Sequence, residues 1–234
     1  MAPVTEIKRF ERKTTSELVY ETVRDRILTN AISSGVHLVE ADIAGELGVS
    51  TTPVREALQR LVHAGLLDRK AARGVTVHTL SANEVRDIFE MRMILEPAGL
   101  RDSARFMDDG AWRKLDDTLA EAKLALEAGQ VGRLAAINSS YHRGLIKQSR
   151  NQLLIDTIGG LSDRHRLFSL QGWAMTNHSF EEWNEHRAIL DHARAGDIER
   201  ACVLLREHIG QFMATTIEAL ERVENHSPKR EKLK

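Results

Sequence analysis

Cysteine is almost missing from this chain: Cys202 is the single one in 234 residues. No internal disulfide can form, and a metal site would have to use histidine and carboxylate with at most one thiol, so a disulfide scaffold and a cysteine-rich zinc finger are excluded. Proline and tyrosine are also scarce, at four and two residues. With so few breakers, and with apolar residues recurring at spacings of three and four, the chain reads as overwhelmingly helical. No stretch approaches the ~18 uninterrupted apolar residues of a spanning helix, and Met1 to Lys13 alternates charge without the apolar core of a signal peptide. The expectation is a cytoplasmic protein with no membrane partner. Net charge is nearly absent as well: 33 basic and 34 acidic residues leave -1, so the total does not advertise nucleic acid.

What is present is a globular balance, 42% hydrophobic and 29% charged, in a length that suits one large domain or two small ones. Charge distribution says more than its sum. Between Thr51 and Leu80, Arg55, Arg60, Arg69, Lys70 and Arg73 oppose only Glu56 and Asp68, an excess of three positive charges and a candidate phosphate-facing surface. The helical pattern is interrupted there. Gly65 closes a helix, and Leu66-Leu67-Asp68 and Val75-Thr76-Val77 read as two short strands around a basic tip ending in Gly74. Ser81, with Glu84 three residues on, is a capping-box signal for a new helix.

These signals divide the chain into an N-terminal arm (1–14), a small mixed unit (15–80), a helical bundle (81–226) and a basic, disordered tail (227–234). The expected bundle helices have cores at 82–106, 109–127, 130–149, 151–170, 179–195 and 197–225. Pro97 is expected to kink or break the first of them, and Asp197 to cap the last after the Gly196 stop.

In the small unit, Ala44, Gly48 and Val54 solve one packing problem. Ala44 lets two helices approach, Gly48 turns the backbone with positive φ, and Val54 anchors the second helix. That helix starts near Thr51-Thr52-Pro53 with a hydroxyl cap and a proline in its first turn. Val54, Leu58, Leu61 and Val62 form its apolar stripe, which leaves Thr52, Arg55, Glu56 and Gln59 on the opposite side. An outward arginine and glutamine on the first turns of such a helix suit base edges in a major groove. Ser50, Thr51 and Thr52 could donate hydroxyls to phosphates at the helix N-terminus. Arg73 and Gly74 then read as the tip of a wing. Ordinary helix packing with a solvated arginine face is the competing reading; the order helix, turn, helix, turn, helix, basic hairpin favours double-stranded DNA.

In the bundle, Asn138 and His142 lie four apart and leave one helix on the same side. His186 and His208 fall on two later helices. A bundle can bring three such helices around a polar interior, where three imidazoles with an oxygen donor suit zinc, nickel or another divalent first-row ion. Partly exposed packing histidines are the alternative. Trp173 and Trp183 could wall a pocket or simply fill core, and His165, His178 and His192 are assigned structural or exposed positions.

The run Leu47-Gly48-Val49-Ser50-Thr51-Thr52-Pro53-Val54-Arg55-Glu56-Ala57-Leu58-Gln59-Arg60-Leu61, followed by Gly65-Leu66-Leu67 and Arg73-Gly74-Val75-Thr76-Val77, resembles the winged helix of GntR-family transcription regulators. The remainder resembles that family's FCD effector domain. The fold implied is mainly helical: a winged helix-turn-helix with a small β-hairpin wing, then an all-helical antiparallel bundle. The resemblance implies a non-enzymatic homodimer binding a palindromic operator, usually as a repressor, with affinity set by a small molecule. It marks Arg55, Arg60, Thr52, Arg73 and Gly74 for DNA, with Arg60 nearer the back of its helix and suited to a phosphate or intraprotein contact. A basic residue often stands where this chain has Thr51, so operator sequence or affinity is expected to differ. The FCD metal pattern, an Asp four before a His, then Glu-His-Arg, then a last-helix His, falls on Asn138, His142, Glu185-His186-Arg187 and His208. Asparagine for aspartate removes a negative charge, which weakens metal binding and favours an anionic effector. Arg92 occupies the place of an arginine that often faces the effector cavity, where a guanidinium suits a carboxylate; a plain Arg92–Glu96 pair is the alternative. Two other functions are weighed against this one: a sensor whose effector is the metal ion itself, and a metal-dependent hydrolase built on the helical bundle.

Overall fold

The computed structural model describes residues 13–70, 74–175 and 179–226. Thr14 opens α1 (Thr15–Leu28) through a reciprocal cap: its Oγ1 accepts from Glu17 N at 3.2 Å, and the Glu17 carboxylate accepts from Thr14 N at 2.7 Å. A two-residue strand β1 (His37–Leu38) leads into α2 (Glu40–Leu47). Gly48 then turns the chain at φ 65° with its N–H bonded to the Ala44 carbonyl, and α3 (Thr51–His63) follows. Val54, Ala57, Leu58 and Leu61 form the buried side of α3, and α1 and α2 pack onto it. Ser50 sits at the N-cap in extended conformation but makes no side-chain capping bond. The expected hydroxyl cap is therefore not formed, and the first-turn amides of α3 are left without a side-chain acceptor from Ser50.

The wing contains a strand more than the sequence pattern implied. β2 (Leu67–Lys70) and β3 (Gly74–Val77) form the expected antiparallel pair, and β1 adds to the other edge of β3, giving the order β1-β3-β2. Leu67 stands opposite Val77, and His37 opposite Thr76. Two residues are too short for a periodicity signal, which is why β1 is invisible in sequence.

The bundle comprises α4 (Ala82–Ser103), α5 (Asp109–Glu127), α6 (Val131–Ile146), α7 (Gln152–Met175), α8 (Ser179–Arg194) and α9 (Ile198–His226). Ser81 caps α4 by accepting from Glu84 N at 3.3 Å, and Asp197 caps α9 by accepting from Arg200 N at 3.4 Å. The chain does not break at Pro97, which lies inside continuous α4 with its carbonyl accepting from the Cys202 thiol. Packing of α4 against α9, α6 and α7 supplies the burial that offsets the lost proline N–H. Helix α7 runs past its expected end at residue 170 to Met175. Apolar residues of both units join in one continuous core, from Val19 and Leu61 through Leu80 and Phe89 to Leu205. No helix among the described residues is long and apolar enough to cross a membrane. The basic tail lies outside the described residues.

Candidate metal centre and nucleic-acid interface

Three helices deliver the imidazoles to one point. His142 on α6, His186 on α8 and His208 on α9 are each at most 5% exposed, and their coordinating nitrogens all lie within 4.8 Å of one another. His186 Nε2 is 3.2 Å from His142 Nε2 and 3.0 Å from His208 Nε2. The outer nitrogens of two rings are held by carboxylates: His142 Nδ1 by Glu96 Oε2 and His208 Nδ1 by Glu185 Oε2, both at 2.7 Å. A ring that donates Nδ1–H to a carboxylate keeps its lone pair on Nε2. Two lone pairs therefore face His186 Nε2, which can donate a proton to only one of them. A cation satisfies all three nitrogens at once, and separations of 3.0 and 3.2 Å fit ligands sharing an ion at about 2.0–2.1 Å. Burial holds His142 and His186 neutral, as ligation requires: it depresses His142 to about 4, against the opposing pull of Glu96, and drives His186 well below its ordinary range.

Asn138 sits one turn before His142, 6% exposed, and its Oδ1 has no hydrogen-bond partner. Leaving a buried carbonyl unsatisfied costs about 1–3 kcal/mol, so this oxygen is an acceptor that lacks a hydrogen-bond donor or a cation. Asn138 and His186 line one small cavity of about 20 Å³ with Tyr141, Trp173, Trp183 and Glu182. The two tryptophans thus wall a pocket. The three imidazole nitrogens fit a divalent cation, and the unpartnered Asn138 oxygen belongs to a residue that lines the same cavity as His186.

Arg92, 3% exposed, lies on the far side of His142. Its Nε donates to Glu96 Oε1 at 2.5 Å, while Nη2 has no partner. Glu96 thus accepts from both Arg92 and His142. Burial pushes its carboxyl up, but these two partners prevail and hold it well below the usual carboxylate range. The pair is an interior one, and Arg92, Glu96, Ser139, His142 and His165 line a space of about 10 Å³.

In the N-terminal unit, Ser50 at the N-cap of α3 and Thr51, Thr52, Arg55 and Gln59 on the helix are all exposed. Arg55 is held by Glu40 of α2, with Nη2–Oε2 at 2.9 Å, which fixes the guanidinium beside the first turn of the helix. Arg60 is exposed as well, but its guanidinium lies over the Tyr20 ring of α1, 4.3 Å from its centroid. Gly74 has φ 82°, and a Cβ there would stand 3.2 Å from the Leu38 carbonyl and the His37 ring. Its bareness serves the β1–β3 approach directly. Arg73 lies outside the described residues, as does His178.

Residues 15–77 match the pattern described as bacterial regulatory proteins, gntR family, and residues 87–211 match the FCD domain. The chain belongs to the GntR family and carries an FCD domain. It is 31% identical over 150 residues to the Nta operon transcriptional regulator of Aminobacter aminovorans, covering 63% of this chain and 70% of that one. It is 27% identical over 210 residues, 89% of this chain and 92% of the other, to a Paenarthrobacter nicotinovorans protein named "Probable D-xylose utilization operon transcriptional repressor". A solved GntR transcriptional regulator from Rhodococcus sp. RHA1 superposes with TM-score 0.79 at 22% identity, over 88% of this chain and 99% of that structure.

Within this FCD domain, several interior groups escaped the sequence reading. His165 of α7, assigned a structural or exposed position, is 5% exposed, and its ring lies 5.8 Å from that of His142. Tyr141 donates its hydroxyl to the His186 carbonyl at 2.8 Å. Glu182 is buried, accepts from Trp173 Nε1 at 2.6 Å, and is pushed up to about 7 by desolvation. Glu182 precedes His186 by four residues, a helical spacing that was available as a signal. Glu96 and Glu185 bond their histidines across helices, which no local spacing reveals. His192 is half-buried, with Nδ1 3.0 Å from Asp197 Oδ2.

Proposed function

We propose that this GntR-family protein is a ligand-responsive transcription regulator, a repressor, in which residues 15–80 read DNA and residues 81–226 sense the signal in the cytoplasm. As a homodimer it places two copies of α3 in successive major grooves of a palindromic operator. Arg55 and Gln59 face base edges, Ser50, Thr51 and Thr52 the phosphates, and Arg73 and Gly74 the flanking groove. Arg60, drawn over Tyr20, braces α3 against α1.

His142, His186, His208 and Asn138 would hold a divalent ion, zinc or nickel by donor type. When bound, such an ion supplies a positive centre that ties α6, α8 and α9 together and attracts an anionic oxygen. Glu96 and Glu185 orient the two outer imidazoles, and Arg92, with Nη2 free, offers a second positive group to a carboxylate effector. The single observation that carries this reading is the convergence of three buried imidazole nitrogens at 3.0–3.2 Å in a chain that also exposes Arg55 on a winged helix. A second reading, in which the ion is itself the effector, is favoured by the small cavities beside the triad, of about 60 Å³ at His208, 20 Å³ at His186 and 10 Å³ at His142, room for a few waters but not for a larger organic acid without rearrangement.

Elemental analysis of untagged protein tests the metal, with one ion per chain expected and loss in His142→Ala. Gel-shift titration on DNA selected by the protein from random duplexes tests the N-terminal unit. There, Arg55→Ala is expected to weaken binding by about 1–3 kcal/mol, and unchanged affinity rejects its role. Repeating the titration with zinc or chelator, then with carboxylates added, separates the two readings.

A further inference from the structure

Helix α7, like α4 through Glu96 and Glu84, touches both the polar interior, through His165, and the base of the wing, through Gln171 and Arg164. On its inner stripe, His165 packs beside His142 and, edge-on, against Phe89 at 5.7 Å, and Ser169 Oγ lies 3.1 Å from His165 Nε2. On the adjoining stripe, Arg164, Phe168 and Gln171 recur at four and three residues, so they share a face of the helix. Gln171 clamps the segment that joins the two units from both sides: Oε1 accepts from Leu80 N at 3.2 Å and Nε2 donates to the His78 carbonyl at 3.3 Å. The Arg164 stem covers Gly65, the last turn before the wing, so closely that a Cβ there would stand 2.8 Å from its Cδ and Nε. Arg164 Nη2 reaches Glu84 Oε1 at 3.5 Å, and its buried Nε has no hydrogen-bond partner.

The clamped segment continues into the wing. His78 Nδ1 meets Asp68 of β2 at 2.8 Å, its Nε2 meets Glu84 of α4 at 3.2 Å, and its ring stacks on Phe168 with centroids 6.1 Å apart. Phe168 is fully buried. A helix is stiff over these few turns, so displacement of the His165 face must carry Arg164 and Gln171 with it. The wing base, gripped by backbone bonds at His78 and Leu80 and by packing at Gly65, cannot stay behind without breaking them.

We infer that Gln171 and Arg164 are the positioning residues through which α7 transmits a change in the bundle interior to the wing of the DNA-binding unit. The inference goes beyond the regulator reading, and only its zinc arm rests on the assignment of the histidine triad as a metal site. Two variants keep the side-chain bulk while removing the polar grip: Gln171→Met and Arg164→Met. Amide hydrogen exchange on the full-length protein reads the strands 67–70 and 74–77 and, separately, helices α6, α8 and α9, each with zinc and with chelator. In the unaltered protein, zinc is expected to slow exchange in the wing roughly five-fold or more, the lower end of an allosteric coupling. In the double variant, the same zinc is expected to protect the bundle and leave the wing unchanged.

Zinc that protects only the bundle of the unaltered protein, or that protects the wing equally in the double variant, overturns the inference while leaving the metal site intact. Failure to retain zinc overturns the metal reading, and the zinc-free comparison then decides the coupling. Wing exchange several-fold faster in the double variant sustains it; equal rates overturn it.

Discussion

Glu96 illustrates how one buried carboxylate can serve two cations. It takes Arg92 Nε on one oxygen and His142 Nδ1 on the other, so it both neutralises the guanidinium and fixes the tautomer that turns His142 Nε2 toward its partners. Replacing it by Gln keeps the shape but removes the charge. Glu96→Gln is expected to lower zinc affinity about 10–100-fold, read by competition with a chromophoric chelator; equal affinity would show that the second carboxylate, Glu185, suffices. Glu182 makes the opposite prediction. Its carboxyl is pushed up to about 7 by burial, from 4.5, so the folded protein holds this proton more tightly than the unfolded chain. Stability is then highest below the unfolded value and falls as pH rises through the folded one, by as much as about 3 kcal/mol. In chelator-treated protein, Glu182→Gln should therefore match the parent in urea unfolding at pH 4.5 and exceed it at pH 8. A gain that is the same at both pH values would assign the effect to packing.

At the scale of the element, the helix-turn-helix depends on one backbone angle. Gly48 at φ 65° lets its own N–H bond the Ala44 carbonyl and turns the chain from α2 toward α3, yet a Cβ there would meet nothing within 4 Å. The penalty of a side chain is thus conformational and not steric. Gly48→Ala is expected to destabilise by about 1–2 kcal/mol, and Gly48→Asn by less, because Asn visits this region more readily. Chemical denaturation of the two variants checks the ranking, and equal losses would point to a clash. Elsewhere, capping bonds at Thr14, Ser81, Asp108 and Asp197 define helix starts that no long-range contact needs to impose.

For the molecule as a whole, the continuous core from α1 to α9 makes the winged helix and the bundle thermodynamic neighbours. A ligand bound in the bundle should stabilise both. Zinc at about a thousand times its dissociation constant adds about 4 kcal/mol, which for a chain of this length raises the melting temperature by roughly 10 °C. Scanning calorimetry is expected to show a single endotherm moving upward with zinc. Two endotherms, of which only one moves, would mean that the units unfold independently.

The amino-acid sequence determined by itself whatever is local. The caps at Ser81 and Asp197, the turn at Gly48, the apolar stripe of α3 and the outward placement of Arg55 follow from spacings of a few residues, because helical periodicity and backbone stereochemistry act over that range. It also put Asn138 and His142 on one side of a helix. It did not announce β1, whose two residues form a strand only because β3 offers an edge. Nor did it show that Pro97 would be carried inside a helix, since packing against neighbouring helices outweighs the lost N–H. Only tertiary structure decided that three histidines spread from 142 to 208 meet at hydrogen-bond range, that Glu96 and Glu185 bond two of them, and that His165 faces the same interior. Those contacts join residues 22 to 46 positions apart. Their geometry comes from how helices pack, a property of the assembled core and not of any segment.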